Sequence, residues 1–343
     1  MYVDVGLSRE SNIGTAGRRA PEFESAGFDA MWTAETAHDP FLPLVAAADG
    51  TRELGLGTSI AVAFARNPMT LAHIAWDLQE YSEGRFHLGI GSQVAAHITR
   101  RFSMEWSRPA ARMREFVLAI RAIWDTWVTG SRLDFDGDFY HHTLMTPFFS
   151  PEADTIARVG PPKIYLAGVG TRMTEVAGEV ADGFICHGFT TERYLREVTI
   201  PALERGRARS ARPVEDFQIV GPPFVVTGAD DTEIAEAAAA TRRQLAFYAS
   251  TPAYRPVLEL HGWGRLQPDL AALSKRGEWE EMGSLVSDEV LETFAVVAEP
   301  AKVAAGVMAR YGDVIQRFRL SSNQIADAER RRILVGALRQ EST

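Results

Sequence analysis

The sequence predicts a (β/α)8 TIM barrel with insertions. Three features carry that expectation. Eight short apolar or alternating runs are each followed by a longer stretch of helical periodicity, the pattern of parallel strands joined by helices. A length of 343 residues fits one large domain spanning 1–343, because barrels of this class reach such sizes as single units. Two stretches, at about 130–162 and 249–293, break the alternation and read as insertions. An open, doubly wound sheet is the alternative architecture.

Taken in order, the strand runs are residues 3–7, 29–34, 57–61, 85–90, 163–167, 183–186, 218–226 and 314–320. Helical patterns fill the gaps at 14–26, 43–53, 68–81, 112–129, 171–180, 192–209 and 231–248, with 300–311 and 327–339 closing the chain. The first insertion carries DFDGDFYHH, whose turn residues between aromatics predict a hairpin, followed by a proline-rich link. The second mixes Pro, Gly and Trp and reads as a segment covering substrate.

Composition narrows the class. Hydrophobic residues make up 46% and charged residues 24%, as in a globular enzyme with a sizeable core. A net charge of -9 opposes nonspecific binding to nucleic acid or an anionic membrane. Arg330, Arg331 and Arg332 fall in a helical pattern and read as a solvated face. Cys186 is the single cysteine, so neither an intrachain disulfide nor a multi-cysteine metal site can form. The start MYVDVGLSRE lacks a signal-peptide pattern, and no apolar run reaches membrane-span length. A soluble, cytoplasmic protein is expected.

Strand exits line a barrel's active site, so polar residues there need an explanation. The second run leaves through MWTAETAHDPF. Glu35 and Thr36 stand at its exit, with Glu35 favoured for function; His38 and Asp39 read as surface or helix-capping residues. The third run, LGLGTSIAVAFARNP, ends at Ser59 and Ile60, and by periodicity alone is a buried parallel strand. In GRFHLGIGSQ, Gly89 and Gly91 permit close approach to the backbone, and Ser92 and Gln93 follow. KIYLAGVGTRM is a strand, a glycine turn and a helix start. There Gly168 and Gly170 allow the turn, free N–H groups suit a phosphate, and Thr171 can cap the helix or reach the anion.

Several chemistries are disfavoured. The third glycine of a dinucleotide fingerprint is replaced by Met173 or Val94, the histidines have no metal-ligand spacing, and a serine-hydrolase elbow is missing. No metal is expected. His87, inside a strand, reads as a core histidine.

ARNPMTLAHIAWDLQEYSEGRFHLGIGSQ, with Asn67-Pro68, Asp77, Ser82, Gly84-Arg85 and Gly89-Ile90-Gly91 in order, resembles the bacterial luciferase-like superfamily. The likeness is greatest to its branch that uses the deazaflavin coenzyme F420. DFDGDFY, KIYLAGVG, ADGFICHG and VAEPAKVAAGVMARYGDVIQRFRL extend it over nearly the whole chain, most weakly across 228–290. The resemblance implies a (β/α)8 barrel and a non-prolyl cis peptide at Ser59-Ile60 backing the deazaflavin ring. It implies cofactor-lining positions at Gly91, Ser92, Gln93 and His97. Ala167, Gly168, Val169 and Gly170 would form the phosphate loop, with Thr171 and His187 nearby.

Members that oxidise sugar phosphates or alcohols typically carry Asp-His at the end of strand two, the His as general base. Here the aligned pair is Glu35-Thr36, and threonine cannot take that proton. His38 would substitute only if turned inward, and Glu35 could serve as acid or base. The lysine that sugar-phosphate members carry after strand six is replaced by Gly188, Phe189 and Thr190.

These resemblances imply F420-dependent hydride transfer at the deazaflavin C5 to or from a small, unphosphorylated organic molecule. Reduction of an activated double bond or imine is favoured. The alternatives are an FMN-dependent monooxygenase of the same superfamily and a noncatalytic cofactor-binding relative. A homodimer through the helices at 43–53 and 68–81 is implied by analogy.

Overall fold

The computed structural model describes residues 1–8, 12–211, 215–221, 223–322 and 327–341. Among the described residues the central sheet holds eight main strands, β1 (Tyr2–Gly6), β2 (Ala30–Thr33), β3 (Gly55–Thr58), β4 (Phe86–Gly91), β5 (Lys163–Gly168), β6 (Gly183–Cys186), β7 (Gln218–Gly221) and β8 (Arg317–Ser321), together with the two-residue strand Ala61–Val62 beside β4. The eight hydrogen-bond in chain order, and β8 returns to β1. β3 pairs in parallel with β2 and β4, and the class is the expected (β/α)8 barrel.

Contacts divide the chain into two compact units. One comprises Gly6–Ile185 and Ala202–Gln218; the other comprises Met1–Val5, Cys186–Pro201 and Ile219–Thr343.

Within the first unit, local chemistry sets the elements. The Asn67 side chain accepts from Thr70 N–H at 2.8 Å, and Pro68 occupies the first helical turn, so Asn67-Pro68 is a cap that starts the helix Pro68–Tyr81. The helix Pro109–Thr129 ends where Gly130 takes φ 70°. Large rings fill the strand layer: Trp32 stacks on His87, and Tyr165 meets both edge-on. The Tyr165 hydroxyl donates to Gln218 Oε1 at 2.6 Å. His87 is thus a half-buried member of this ring cluster within the strand layer. The hairpin also forms, pairing Phe135–Asp136 with His141–His142, and the Glu115 carboxylate accepts the N–H groups of Asp138, Phe139 and Tyr140 across its turn.

The second unit holds the later insertion. Residues 249–293 fold mainly as the short helices Arg255–Leu260, Leu266–Arg276, Trp279–Ser284 and Asp288–Phe294. Leu258, Leu270 and Phe294 join Leu245 of the helix Asp231–Ala249 in an apolar core. Arg310 donates to the carbonyls of Glu292, Thr293 and Ala295, capping the C-terminus of the last short helix with positive charge. Arg317 on β8 grips Asp4 on β1 through two hydrogen bonds of 2.7 Å, both side chains buried.

Some expectations need correction. The run 218–226 is two elements, because β7 stops at Gly221 and Phe224–Val226 pairs in parallel with Ala295–Val297 in a separate sheet. Pro223 stands between the two elements and has no N–H to offer a ladder. The run 57–61 starts earlier, at Gly55, and is broken after Thr58 before Ala61–Val62 pairs beside β4. The helix expected at 192–209 contains a π turn at Leu195–Thr199. Of the three terminal arginines, Arg331 is buried, while Arg330 and Arg332 pair with Glu233 and Glu329. No helix among the described residues is long and apolar enough to cross a membrane.

Breaking a buried ion pair from one side leaves an uncompensated charge. Asp4→Asn is therefore expected to lower unfolding free energy by about 3–5 kcal/mol, read as a shifted urea midpoint with the m-value unchanged.

Candidate functional site

The exits of β2 and β3 are tied into one structure. Ser59 N–H donates to Thr33 O, and Glu35 N–H donates to Ile60 O at 3.1 Å. The Ser59-Ile60 peptide is cis. Glu35 Oε2 then accepts from Val62 N–H at 2.7 Å and from Arg66 Nη1 at 2.6 Å. Arg66 Nη1 also donates to Val62 O, and its other terminal nitrogen reaches Asp39 at 3.3 Å. Backbone and side chain of Glu35 thus bracket residues 60–62, with the carboxylate and Arg66 8% and 15% exposed.

This placement sharpens the expectations for the opening cluster. Glu35 stands at the bulge, but one carboxylate oxygen is committed to Arg66 and Val62, which fixes its position. Asp39 caps the next helix, accepting from Phe41 and Leu42 N–H. Thr36 is exposed, and its carbonyl accepts from Arg101 at 2.8 Å. His38 is exposed rather than turned inward, beside a water-sized hollow lined by Ser8, Thr33 and Pro43.

β4 and β5 supply a floor beside the bulge. Gly89 is required by its own neighbours, since a Cβ there would lie 1.7 Å from Thr58 O. At Gly91 a Cβ would lie 3.2 Å from Ile60 Cδ1 and 3.6 Å from the Ala167 methyl, so Ile60, Gly91 and Ala167 converge. Ser92 Oγ donates to Gln93 O, and Gln93, at φ 60°, caps locally by accepting Val94 N–H. His97 is exposed on the helix Ala95–Arg100.

Beyond β5 the chain passes through Gly168, Val169 and Gly170 into the helix Thr171–Val180. Gly170 is the N-cap, without a side-chain cap, and no acidic residue occupies the first turn. Thr171 is the exposed first residue of the helix rather than its cap. The unsatisfied N–H groups and the positive end of the helix dipole form a backbone cradle suited to a phosphate. Ile60, Gly91 and Ala167 thus lie close together as small or apolar groups, and the turn after β5 presents backbone N–H donors, chemistry compatible with an apolar ring and a phosphate respectively.

At the exit of β6, in the other unit, His187 keeps different company. Its ring stacks on Tyr254 at 4.6 Å and meets Tyr248 edge-on at 4.8 Å. Phe189 N–H donates to Nδ1 at 3.0 Å, and Nε2 lies 3.0 Å from the Tyr254 hydroxyl. Burial, assisted by nearby Arg319, depresses the His187 pKa to about 4. Burial likewise pushes the Tyr254 phenol up to about 12. Sequence reasoning missed Tyr248, Tyr254 and Arg66. The tyrosines lie in or next to the insertion, where nothing local marks them, and Arg66 was visible only as part of ARNP.

The luciferase-like monooxygenase family model matches residues 3–317. An uncharacterised protein of Mycobacterium tuberculosis is 53% identical over 307 residues, covering 90% of this chain and 89% of its own. F420-dependent glucose-6-phosphate dehydrogenase of Mycolicibacterium smegmatis is 31% identical over 207 residues, covering 56% and 58%. Among solved structures, the coenzyme F420 dependent tetrahydromethanopterin reductase from Methanopyrus kandleri superposes with a TM-score of 0.78 at 18% identity, covering 98% and 97%.

Because the folded state keeps His187 neutral down to about pH 4 while an unfolded histidine takes a proton near 6.5, the unfolded chain binds more protons in that window. Stability contributed by His187 is present above about pH 6.5 and is lost progressively as pH falls toward 4. Urea unfolding between pH 4 and 7.5 should show this loss in the wild type and less of it in His187→Phe.

Proposed function

The chain belongs to the luciferase-like monooxygenase family, and from that premise we propose that it is an F420-dependent oxidoreductase acting on a small, unphosphorylated organic substrate. The reading is supported by two features: the helix start at Gly170 has no side-chain cap, and Ile60 and Ala167 lie close to Gly91 on neighbouring strand exits. Kinship to the F420-dependent dehydrogenase and reductase supports the deazaflavin as occupant. That cofactor supplies a hydride-transferring carbon. The protein's task is then to hold and orient it and to exclude water.

Ser59 and Ile60 would back the ring, while Ser92, Gln93 and His97 border it. Ala167, Gly168, Val169, Gly170 and Thr171 would take the phosphate end. Glu35 acts by fixing the bulge through Arg66 and Val62. Thr36 offers no imidazole base, and Gly188, Phe189 and Thr190 offer no lysine for a sugar phosphate. Both features favour reduction of an activated double bond or imine over oxidation of a sugar phosphate. The family's own description, a monooxygenase, supports a second reading in which reduced FMN occupies the same cradle.

We also infer a homodimer through the helices Leu42–Gly50 and Pro68–Tyr81, where Leu42, Val45 and Tyr81 are 53%, 41% and 52% exposed. Sedimentation should show a dimer for the wild type and a monomer for Val45→Glu. A monomeric wild type would reject the inference.

Parallel titrations with F420 and FMN test the cofactor. F420 should bind at micromolar or tighter affinity; preferential FMN binding with oxygen consumption would establish the monooxygenase reading. At Gly170 a Cβ meets nothing within 4 Å, so Gly170→Asp fits. It adds a favourable helix cap but places a negative charge against the phosphate. Melting temperature should hold or rise while F420 binding weakens by about tenfold.

A further inference from the structure

The pair at the exit of β6 contains a hydroxyl whose hydrogen is unspent. His187 Nδ1 accepts Phe189 N–H at 3.0 Å. A neutral imidazole with Nδ1 as acceptor carries its proton on Nε2. Nε2–H therefore donates to the Tyr254 oxygen, 3.0 Å away. The phenolic O–H is left to donate elsewhere, and among the described residues it has no acceptor besides the imidazole already engaged. Ring stacking with His187 and contacts to Tyr248 and Phe189 hold the phenol in an aromatic setting. Tyr254 belongs to the turn Pro252–Tyr254 at the start of the helical insertion.

We propose that Tyr254, oriented by His187, donates a hydrogen bond to the carbonyl-type acceptor of the substrate, a small uncharged molecule with one such oxygen on an otherwise apolar frame. The proposal rests on the oxidoreductase reading for its place in catalysis, while the donor itself stands on the hydrogen-bond pattern. A neutral donor among aromatic walls suits an uncharged acceptor, because a carboxylate would lose its hydration without gaining a full counter-charge from the phenol. Tyr254 polarises the carbonyl without giving up its proton. His187 is a positioning residue, acting through Tyr254.

The test uses cyclohex-2-enone labelled with 13C at the carbonyl, with equilibrium titration and difference infrared spectra on the full-length protein. Wild type should bind it saturably and lower its carbonyl stretch relative to the same ligand bound to Y254F. Y254F, which keeps the stacked ring, should bind roughly three- to tenfold more weakly, the loss expected for one neutral hydrogen bond. H187F should give an intermediate carbonyl frequency because the hydroxyl loses its fixed partner, and a wild-type spectrum in H187F would remove His187 from the proposal. No saturable binding, equal frequencies in wild type and Y254F, or cyclohexanecarboxylate displacing the enone equally well from both would overturn it. F420 fluorescence titrations on the same proteins separate the two claims. Y254F should bind F420 as wild type does, and failure of F420 to bind any of them would refute the cofactor reading while leaving the carbonyl result standing.

Discussion

One carboxylate holds the candidate cofactor face together. Glu35 meets Arg66 and Val62 N–H through a single oxygen and takes Ile60 O on its own N–H. These bonds fix the chain where β3 has ended and its ladder can no longer position it. Residues 59–61 can then turn toward β4 while Ala61 and Val62 remain paired with Ile90 and Gly91. The side chain of Ile60 consequently comes to rest near Gly91 and Ala167. Without that bracket the floor would depend on a loop with no internal ladder.

The two units use different materials. In the first, backbone groups and small residues do most of the shaping: a glycine that accommodates Thr58 O, a floor at Gly91 and Ala167, and a helix start left uncapped at Gly170. In the second, aromatic rings and polar tips dominate, with His187, Tyr248, Tyr254 and Phe189 packed against one another. Each set of materials suits a different kind of ligand. A cofactor with a flat ring and a phosphate asks for close backbone approach and free N–H donors, whereas a small organic molecule asks for apolar walls and one directed hydrogen bond.

Much of this organisation is legible in the residues. Alternation of apolar runs with helical periodicity locates all eight strands, because burial on both faces demands near-continuous hydrophobic segments. Asn67-Pro68 announces a helix start through local chemistry, and KIYLAGVGTRM announces a strand, turn and helix. Less legible are features whose cause lies far along the chain. Arg66 matters because Glu35 lies opposite it, and Asp4 is neutralised by Arg317, more than three hundred positions away. The run at 218–226 reads as one strand because its apolar character is continuous, whereas the structure divides it at Gly221, with Pro223, which has no N–H, before the next strand.

The sequence by itself determines the barrel, the family and the order of the strand exits, since periodicity, caps and turn glycines act over a few residues. Tertiary structure alone decides the partners. It pairs Glu35 with Arg66, leaves His38 exposed, and brings an insertion tyrosine to His187 across 67 positions. The physical reason is range: local propensity acts between neighbours, whereas ion pairing and ring stacking require groups that become neighbours only when the chain has folded.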